Sequence, residues 1–191
     1  MPFERDERER ISRIHVGAGL VGLSATAIAA DRGAKVIVSD PDKKRRRLAR
    51  RFGAAVTIDP RDAGALDTAL LGLGAAEVGI AIEASGAGSA VATAVGAVGV
   101  GGVAVLVGSV PPGPAVLMDA EAVVRGLVTI AGVHNYTGDD LRETAEYLRG
   151  AWGRRPFEDL VDPVLSLADA DEALALAGPG GALRVGIDPR R

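Results

Sequence analysis

RIHVGAGLVG, residues 13–22, places three glycines directly after a short run of β-branched residues. Gly17, Gly19 and Gly22 fit the G-x-G-x-x-G spacing of a strand–turn–helix unit that binds a nucleotide. The first glycine permits the tight turn, the second lets the backbone approach a pyrophosphate, and the third lets the helix lie close to the strand. The phosphate would then lie among the free N–H groups at a helix N-terminus. The predicted pyrophosphate contacts are Gly17, Gly19, Leu20, Val21 and Gly22.

Short apolar runs alternate with longer helical patterns over most of the chain. The runs that predict strands are residues 13–16, 35–39, 55–58, 78–84, 102–108 and 127–133. The patterns that predict the intervening helices are residues 20–32, 42–52, 62–71 and 88–98. Continuous apolar strands alternating with helices are typical of a buried parallel sheet. The sequence therefore predicts an α/β fold, a Rossmann doubly wound six-stranded parallel sheet with a short C-terminal α/β tail.

The domain organisation follows from the ends of this pattern. Residues 1–12 are predicted to be a charged, solvated lead-in, because residues 4–10 are all charged with mixed sign. Residues 13–135 form the predicted dinucleotide-binding domain, and residues 136–191 form a tail that is not another βαβ repeat. The predicted elements of the tail are helices at 138–150 and 169–177 and strands at 163–167 and 182–187.

Composition limits the classes of function. The chain has 191 residues, 48% of them hydrophobic, and a net charge of −3, which disfavours a nucleic-acid partner and an anionic membrane surface. It has no cysteine and only two histidines, so no thiolate metal site and no metal ligand set is predicted within it. The charged N-terminus and the lack of a long apolar run predict a cytoplasmic protein without a membrane span.

An acidic residue at the end of the second strand supports the glycine turn. Asp40 lies 18 residues after Gly22, where a carboxylate can accept both ribose hydroxyls of an adenosine. The same carboxylate repels a 2′-phosphate, so NAD is predicted and NADP is disfavoured. Basic residues follow at 43–47, of which Lys44 or Arg45 could reach back to the ribose. The alternative is that this run is only the solvated face of a helix.

The carboxyl ends of strands four to six are expected to line the ligand crevice. The residues predicted to line it are 83–86, 107–114 and 132–136. Backbone groups of Val107, Gly108 and Ser109 could bracket a nicotinamide ring. His15 lies inside an otherwise aliphatic strand, and a satisfied core histidine is favoured over a functional one.

These stretches carry a family resemblance in their order. IHVGAGLVGL, VIVSDPD, RRFGAAVTIDP, AIEASG and VAVLVGSVPPGP resemble the zinc-type alcohol dehydrogenases of the medium-chain dehydrogenase/reductase superfamily. The later run from VVRGLVTIAGVHNY to ALRVGI is similar to the alcohol dehydrogenases associated with phosphonate catabolism. The resemblance implies oxidation of an alcohol to a carbonyl with hydride transfer to NAD. It also implies that Val133 lies near the carboxamide and that Arg184 binds the pyrophosphate, the alternative for Arg184 being a surface strand residue.

The resemblance also implies what should lie outside this sequence. Family members hold their catalytic zinc in a domain that precedes the nucleotide domain, and that domain is expected to be absent here. The sequence would then be either a truncated product or one half of a split enzyme, and a separate catalytic domain is the expected partner of a split half. In family members the sixth strand often pairs across a two-fold axis, so residues 127–133 are a candidate homodimer edge. Two alternatives stay open: a small stand-alone oxidoreductase using Tyr136 or His134 as acid and base, and a non-catalytic nucleotide-binding or interaction module.

Overall fold

The computed structural model describes residues 12–178 and 181–191. The predicted lead-in over residues 1–12 therefore lies outside the described residues except at its last position, where the first strand already begins. The chain divides into two compact units between Tyr136 and Thr137. Among the described residues, no helix combines the length and the apolar character that a membrane span needs.

The first unit contains a six-stranded sheet whose strands are all parallel. Its strands are β1 (Ser12–Val16), β2 (Lys35–Ser39), β3 (Val56–Ile58), β4 (Val78–Glu83), β5 (Val98–Leu106) and β6 (Thr129–Gly132). They lie in the order β3-β2-β1-β4-β5-β6, so the sheet runs outward in both directions from the β1–β4 pair. The predicted doubly wound fold is confirmed, and its switch point lies between β1 and β4.

A helix follows each of the first five strands, and the first four of these helices lie where they were predicted. They are α1 (Leu20–Asp31), α2 (Lys43–Arg51), α3 (Ala65–Leu73), α4 (Gly88–Ala97) and α5 (Ala120–Arg125). Side-chain caps define the start of two of them: the Asp42 carboxylate accepts N–H groups at α2, and Asp119 does so at α5. Such caps satisfy N–H groups that have no partner inside the helix.

The core lies on the central strands and is built from aliphatic side chains. Ile14, Ile37 and Ala81 are fully buried, as expected for parallel strands that are covered on both faces. Phe52 is the largest fully buried side chain among the described residues. Small residues on α1 and α4 let these helices pack closely on the sheet.

Three element predictions differ from the structure. The fifth strand begins at Val98 rather than at residue 102, because a register shift against β4 accommodates the extra residues of its glycine-rich start. Helix α5 was not predicted at all. The last strand, β8 (Gly186–Asp188), begins four residues later than the predicted 182. It pairs in parallel with β7 (Val164–Ser166), whose three residues limit the length of the pairing.

The second unit contains two further helices, α6 (Gly138–Ala151) and α7 (Ala170–Leu176). Thr137 and Asp140 form a capping box at the start of α6, each side chain accepting from the backbone N–H of the other residue. Strands β7 and β8 form their own two-stranded sheet. A short 3-10 segment, Phe157–Leu160, lies between α6 and β7.

His15 is a core histidine held by the helix that follows its strand. Its ring is fully buried, and its Nδ1 lies 2.9 Å from Thr26 Oγ1. The Thr26 hydroxyl donates to the carbonyl oxygen of Gly22 at 2.7 Å, so Nδ1 carries the proton that the hydroxyl oxygen accepts. His15 Nε2 is buried and has no hydrogen-bond partner among the described residues. The imidazole thus links β1 to the first turns of α1.

Burial of this ring makes stability depend on pH. Desolvation lowers the pKa of His15 to about 4, aided by the nearby positive charge of Arg13. The histidine of the unfolded chain therefore binds a proton near pH 6.5, whereas the buried histidine of the folded chain does not. The free energy of unfolding thus falls as the pH falls below 6.5. We expect the free energy of unfolding to drop by about 2 kcal/mol from this group between pH 7 and pH 5.

Denaturant unfolding over that pH range measures this effect. His15→Leu should remove the drop, whereas His134→Gln, which changes an exposed histidine, should retain it. A His15→Leu profile with the same slope as the wild-type profile would show that another group causes it.

Candidate functional site

The glycine turn after β1 is packed against its own helix. Gly17 has a φ of +105°, and its N–H donates to the carbonyl oxygen of Ser39 at 2.8 Å, which joins the turn to the end of β2. A Cβ atom on Gly22 would lie 1.9 Å from the carbonyl oxygen of Gly17. Residue 22 must therefore be glycine for α1 to lie this close to the strand it follows.

The N-terminus of α1 is open to an anion. Gly19 occupies the N-cap position, no side chain caps the helix, and its first turn contains no acidic residue. A Cβ atom on Gly19 would meet nothing within 4 Å, so the space in front of the turn is free. The N–H groups of Leu20 and Val21 stand in this uncapped first turn. Such an end offers unpaired donors and a favourable dipole to a phosphate.

Asp40 ties the turn to the end of β2. Its side chain is almost fully buried, with 4% of the residue exposed. Oδ2 accepts the backbone N–H of Ala18 at 2.8 Å, and Oδ1 accepts that of Asp42 at 2.8 Å. Each carboxylate oxygen has a second lone pair that can accept a hydroxyl. The acid predicted for the ribose therefore lies directly beside the turn predicted for the pyrophosphate.

The basic run after Asp40 is the first turn of α2. The backbone N–H groups of Lys44 and Arg45 donate to the Asp42 carboxylate, which lowers the pKa of Asp42. The Lys44 side chain is exposed and that of Arg45 is half-buried. The Arg45 guanidinium makes no hydrogen bond or ion pair with a described residue, and its reach to a ribose stays a prediction.

The neighbouring arginine has a role that the sequence analysis missed. Arg46 Nη1 donates to the carbonyl oxygen of Asp40 at 2.6 Å and to Asp59 Oδ2 at 2.9 Å. A usable signal was present, because Arg46 lies three residues before the buried Ala49 on the same helix. A charged side chain near the buried face of a helix needs a partner, and Asp59 directly follows β3.

Glu83, the last residue of β4, organises two loops at the same edge of the sheet. Its side chain is fully buried. Oε1 accepts the Ser85 N–H at 2.6 Å, the Gly86 N–H at 2.7 Å and the Ser85 hydroxyl at 2.9 Å. Oε2 accepts the Ser109 hydroxyl at 3.2 Å. One carboxylate thus fixes the loop after β4 and reaches the loop after β5.

Backbone hydrogen bonds also join the loop after β5 to the end of β4. The N–H groups of Val107 and Gly108 donate to the carbonyl oxygen of Glu83 at 2.9 Å and 3.1 Å. A Cβ atom on Gly108 would lie 2.4 Å from the nitrogen of Gly86, so the two loops are in backbone contact. Val107 and Gly108 are half-buried and Ser109 is exposed. The segment predicted to lie along a nicotinamide is therefore held rigidly, with its outer end open.

The remaining predicted site residues lie after β6 in the first unit or, for Arg184, in the second unit. Val133 follows β6, is about half-exposed, and donates its N–H to the carbonyl oxygen of Leu106 at 3.0 Å. Arg184 is exposed in the second unit, where its carbonyl oxygen accepts the Asp162 N–H. Its contact with a pyrophosphate stays a prediction. His134 and Tyr136 are exposed, and neither hydrogen bonds to a described side chain.

Over residues 12–178 and 181–191, no group of three or more histidine, cysteine or acidic residues lies close enough to hold a metal ion. The carboxyl edge of the sheet holds polar groups of another kind. They are the free N–H groups of α1 and the carboxylate of Asp40.

The family model described as zinc-binding dehydrogenase matches residues 21–150, more than half of the chain. No curated protein matches the chain. Benzyl alcohol dehydrogenase from Acinetobacter calcoaceticus is 26% identical with a TM-score of 0.78, the match covering 91% of this chain and 48% of that one.

Two further solved structures carry a nicotinamide cofactor. A protein described as a zinc-binding dehydrogenase from Sinorhizobium meliloti 1021, bound to NADP, is 24% identical with a TM-score of 0.76, the match covering 92% of this chain and 51% of that one. An alcohol dehydrogenase from E. coli CFT073, complexed with NADH, is 18% identical with a TM-score of 0.77, the match covering 94% of this chain and 52% of that one. This chain spans about half the length of the structures it matches.

Proposed function

The chain belongs to the zinc-binding dehydrogenase family, and from that premise we propose that it carries the NAD-binding part of an alcohol dehydrogenase. The reaction is oxidation of an alcohol to a carbonyl compound, for which bound NAD supplies the hydride acceptor. The observation that carries the proposal is the uncapped N-terminus of α1 beside a glycine turn that Asp40 holds through the Ala18 N–H. These groups complement a pyrophosphate and a ribose diol at adjacent positions.

Each part of the site has a binding role in this proposal. The N–H groups at Gly19, Leu20 and Val21 hold the pyrophosphate, and Asp40 accepts the ribose hydroxyls. The nicotinamide lies along Val107, Gly108 and Ser109, with Val133 near its carboxamide. Arg45 adds a contact to the ribose and Arg184 adds one to the pyrophosphate, where a guanidinium fork matches the charge and geometry of phosphate.

The proposed cofactor is NAD rather than NADP. A 2′-phosphate would lie against the Asp40 carboxylate, whose negative charge opposes it. One structural neighbour is bound to NADP and another is complexed with NADH, so the fold accommodates both. The proposed preference rests on the Asp40 carboxylate and not on the fold.

The remaining features of the enzyme stay predictions. They include the zinc-dependent step, a catalytic-domain partner and the pairing of two copies through β6, which is an outer strand of the sheet. The second candidate function is a non-catalytic nucleotide-binding module. It is favoured by the exposed positions of His134 and Tyr136, which lack side-chain hydrogen-bond partners among the described residues.

A titration with NADH tests the proposal directly. We expect the fluorescence of NADH to rise when it binds, with a micromolar dissociation constant. Added NAD should reverse the rise by competing for the site. Calorimetry with NAD provides a second readout that does not depend on fluorescence. A chain that binds neither form of the cofactor would refute the proposed function. An assay of primary alcohols with added zinc then tests the chain for a catalytic site of its own: turnover would contradict the expectation that the zinc domain is absent, whereas NADH binding without turnover agrees with it.

A further inference from the structure

Two arginine side chains, Arg46 and Arg61, donate to backbone carbonyl oxygens at Asp40 and Pro41, and both also pair with the carboxylate of Asp59. Arg46 Nη1 donates to the carbonyl oxygen of Asp40 and to Asp59 Oδ2, at 2.6 Å and 2.9 Å. Only 18% of the Arg46 side chain is exposed. This guanidinium is therefore fixed against the end of β2 and is not free to swing toward solvent.

The second arginine approaches the same acid from the loop after β3. Arg61 Nε donates to Asp59 Oδ1 at 2.8 Å and Arg61 Nη2 donates to Oδ2 at 2.6 Å, the paired geometry of a guanidinium on a carboxylate. Arg61 Nη2 also donates to the carbonyl oxygen of Pro41 at 2.8 Å. These hydrogen bonds hold the pKa of Asp59 well below its usual range. Asp59 therefore stays ionised over the whole physiological range of pH.

The position of this cluster relates it to the ribose. The two guanidinium groups bind the carbonyl oxygens of Asp40 and Pro41, which are consecutive residues at the site proposed for the ribose diol. Guanidinium groups are the preferred partners of phosphate in proteins. Two free arginines here would offset the charge of Asp40 and attract a 2′-phosphate. Asp59 instead forms an ion pair with both guanidinium groups, and Asp62 adds a second negative charge near Arg61.

We propose that Asp59 is a specificity-determining residue that makes the site select NAD over NADP, because it occupies Arg46 and Arg61. This inference rests on the proposed function, since it concerns the same dinucleotide site. Asp59 acts on the cofactor through the arginines and does not touch it. Replacing Asp59 removes the negative charge that both guanidinium groups face, while their hydrogen bonds to the carbonyl oxygens of Asp40 and Pro41 hold them beside the Asp40 carboxylate.

Asp59→Asn tests the proposal by its effect on binding of the reduced cofactors. We expect the dissociation constant for NADPH to fall about tenfold relative to that for NADH, because one nearby negative charge is lost. The ratio of the two constants, measured by fluorescence and calorimetry, is the readout. Asp67→Asn, which removes an equal charge from the exposed face of α3, should leave the ratio unchanged.

A second variant keeps the proposal testable if Asp59→Asn does not fold. Arg46→Leu in the otherwise unchanged chain should leave NADPH affinity within about twofold, because the wild-type guanidinium is already occupied. A large loss of NADPH affinity in Arg46→Leu would overturn the proposal, as would an unchanged NADPH to NADH ratio in Asp59→Asn. A wild-type chain that binds neither dinucleotide would overturn the proposed function and this inference together, whereas normal NADH binding with an unchanged ratio overturns this inference alone.

Discussion

Gly22→Ala should destabilise the first unit by at least about 3 kcal/mol, and it should abolish dinucleotide binding. The added methyl carbon would lie 1.9 Å from the carbonyl oxygen of Gly17, and that oxygen belongs to the backbone of the turn. Relief requires α1 to move away from β1. The movement would also disturb the hydrogen bond from the Thr26 hydroxyl to the Gly22 carbonyl oxygen. Denaturant unfolding measures the loss of stability, and an NADH titration measures the loss of binding.

Gly19→Ala is the matched control, since it adds the same methyl group three residues earlier. Gly19 has a φ of −79°, which alanine adopts without strain, and its Cβ atom would meet nothing within 4 Å. We expect a change in unfolding free energy within about 1 kcal/mol, the cost of alanine at an N-cap. NADH affinity should nevertheless fall at least about tenfold, because the methyl group would occupy the space where the pyrophosphate approaches. Normal NADH binding by Gly19→Ala would show that the turn is not the pyrophosphate site.

The fold was predictable because its signals are local and repeated. Each strand is a short apolar run and each connection is long enough for a helix, which together determine a parallel sheet with right-handed crossovers. Helix α5 was missed because it has only six residues, follows a proline-rich loop and lacks a long apolar periodicity. The start of β8 was misjudged because its length depends on pairing with β7, which local sequence does not encode.

The residues of the candidate site that belong to a sequence motif were predictable from their spacing. The residues whose role depends on a contact formed by packing were not. Gly17, Gly22 and Asp40 follow from spacing, and the structure brings them together through the Ala18 N–H and the Ser39 carbonyl oxygen. The place of Arg46 near the apolar face of α2 indicates that its charge needs a partner, but spacing does not identify Asp59 as that partner, because the two residues meet only when α2 packs beside β3. Residues 83–86 were selected as a segment, yet the four contacts of the Glu83 carboxylate require the loops after β4 and β5 to be adjacent in space.

Glu83→Ala should cost about 4 kcal/mol of unfolding free energy, more than most substitutions of a single polar residue. Glu83 is fully buried, and its removal leaves the N–H groups of Ser85 and Gly86 without their acceptor. The Ser109 hydroxyl loses its contact as well, so the loop after β5 is also released. The cavity left by the side chain adds to the cost. Denaturant unfolding measures the change, and NADH titration measures its effect on the segment proposed to hold the nicotinamide.

Glu83→Gln separates the hydrogen bonds of this residue from its charge. The amide oxygen can take the place of Oε1 and accept the same N–H groups, while the amide nitrogen can donate to the Ser109 hydroxyl oxygen. We therefore expect a loss of only about 1 kcal/mol and nearly normal NADH affinity. If Glu83→Gln were as damaging as Glu83→Ala, the negative charge itself would be required, and the contacts between the two loops would not explain the burial of an acid here. A mild Glu83→Ala would instead show that the loops hold their positions by backbone contact alone, through Gly86 and Gly108.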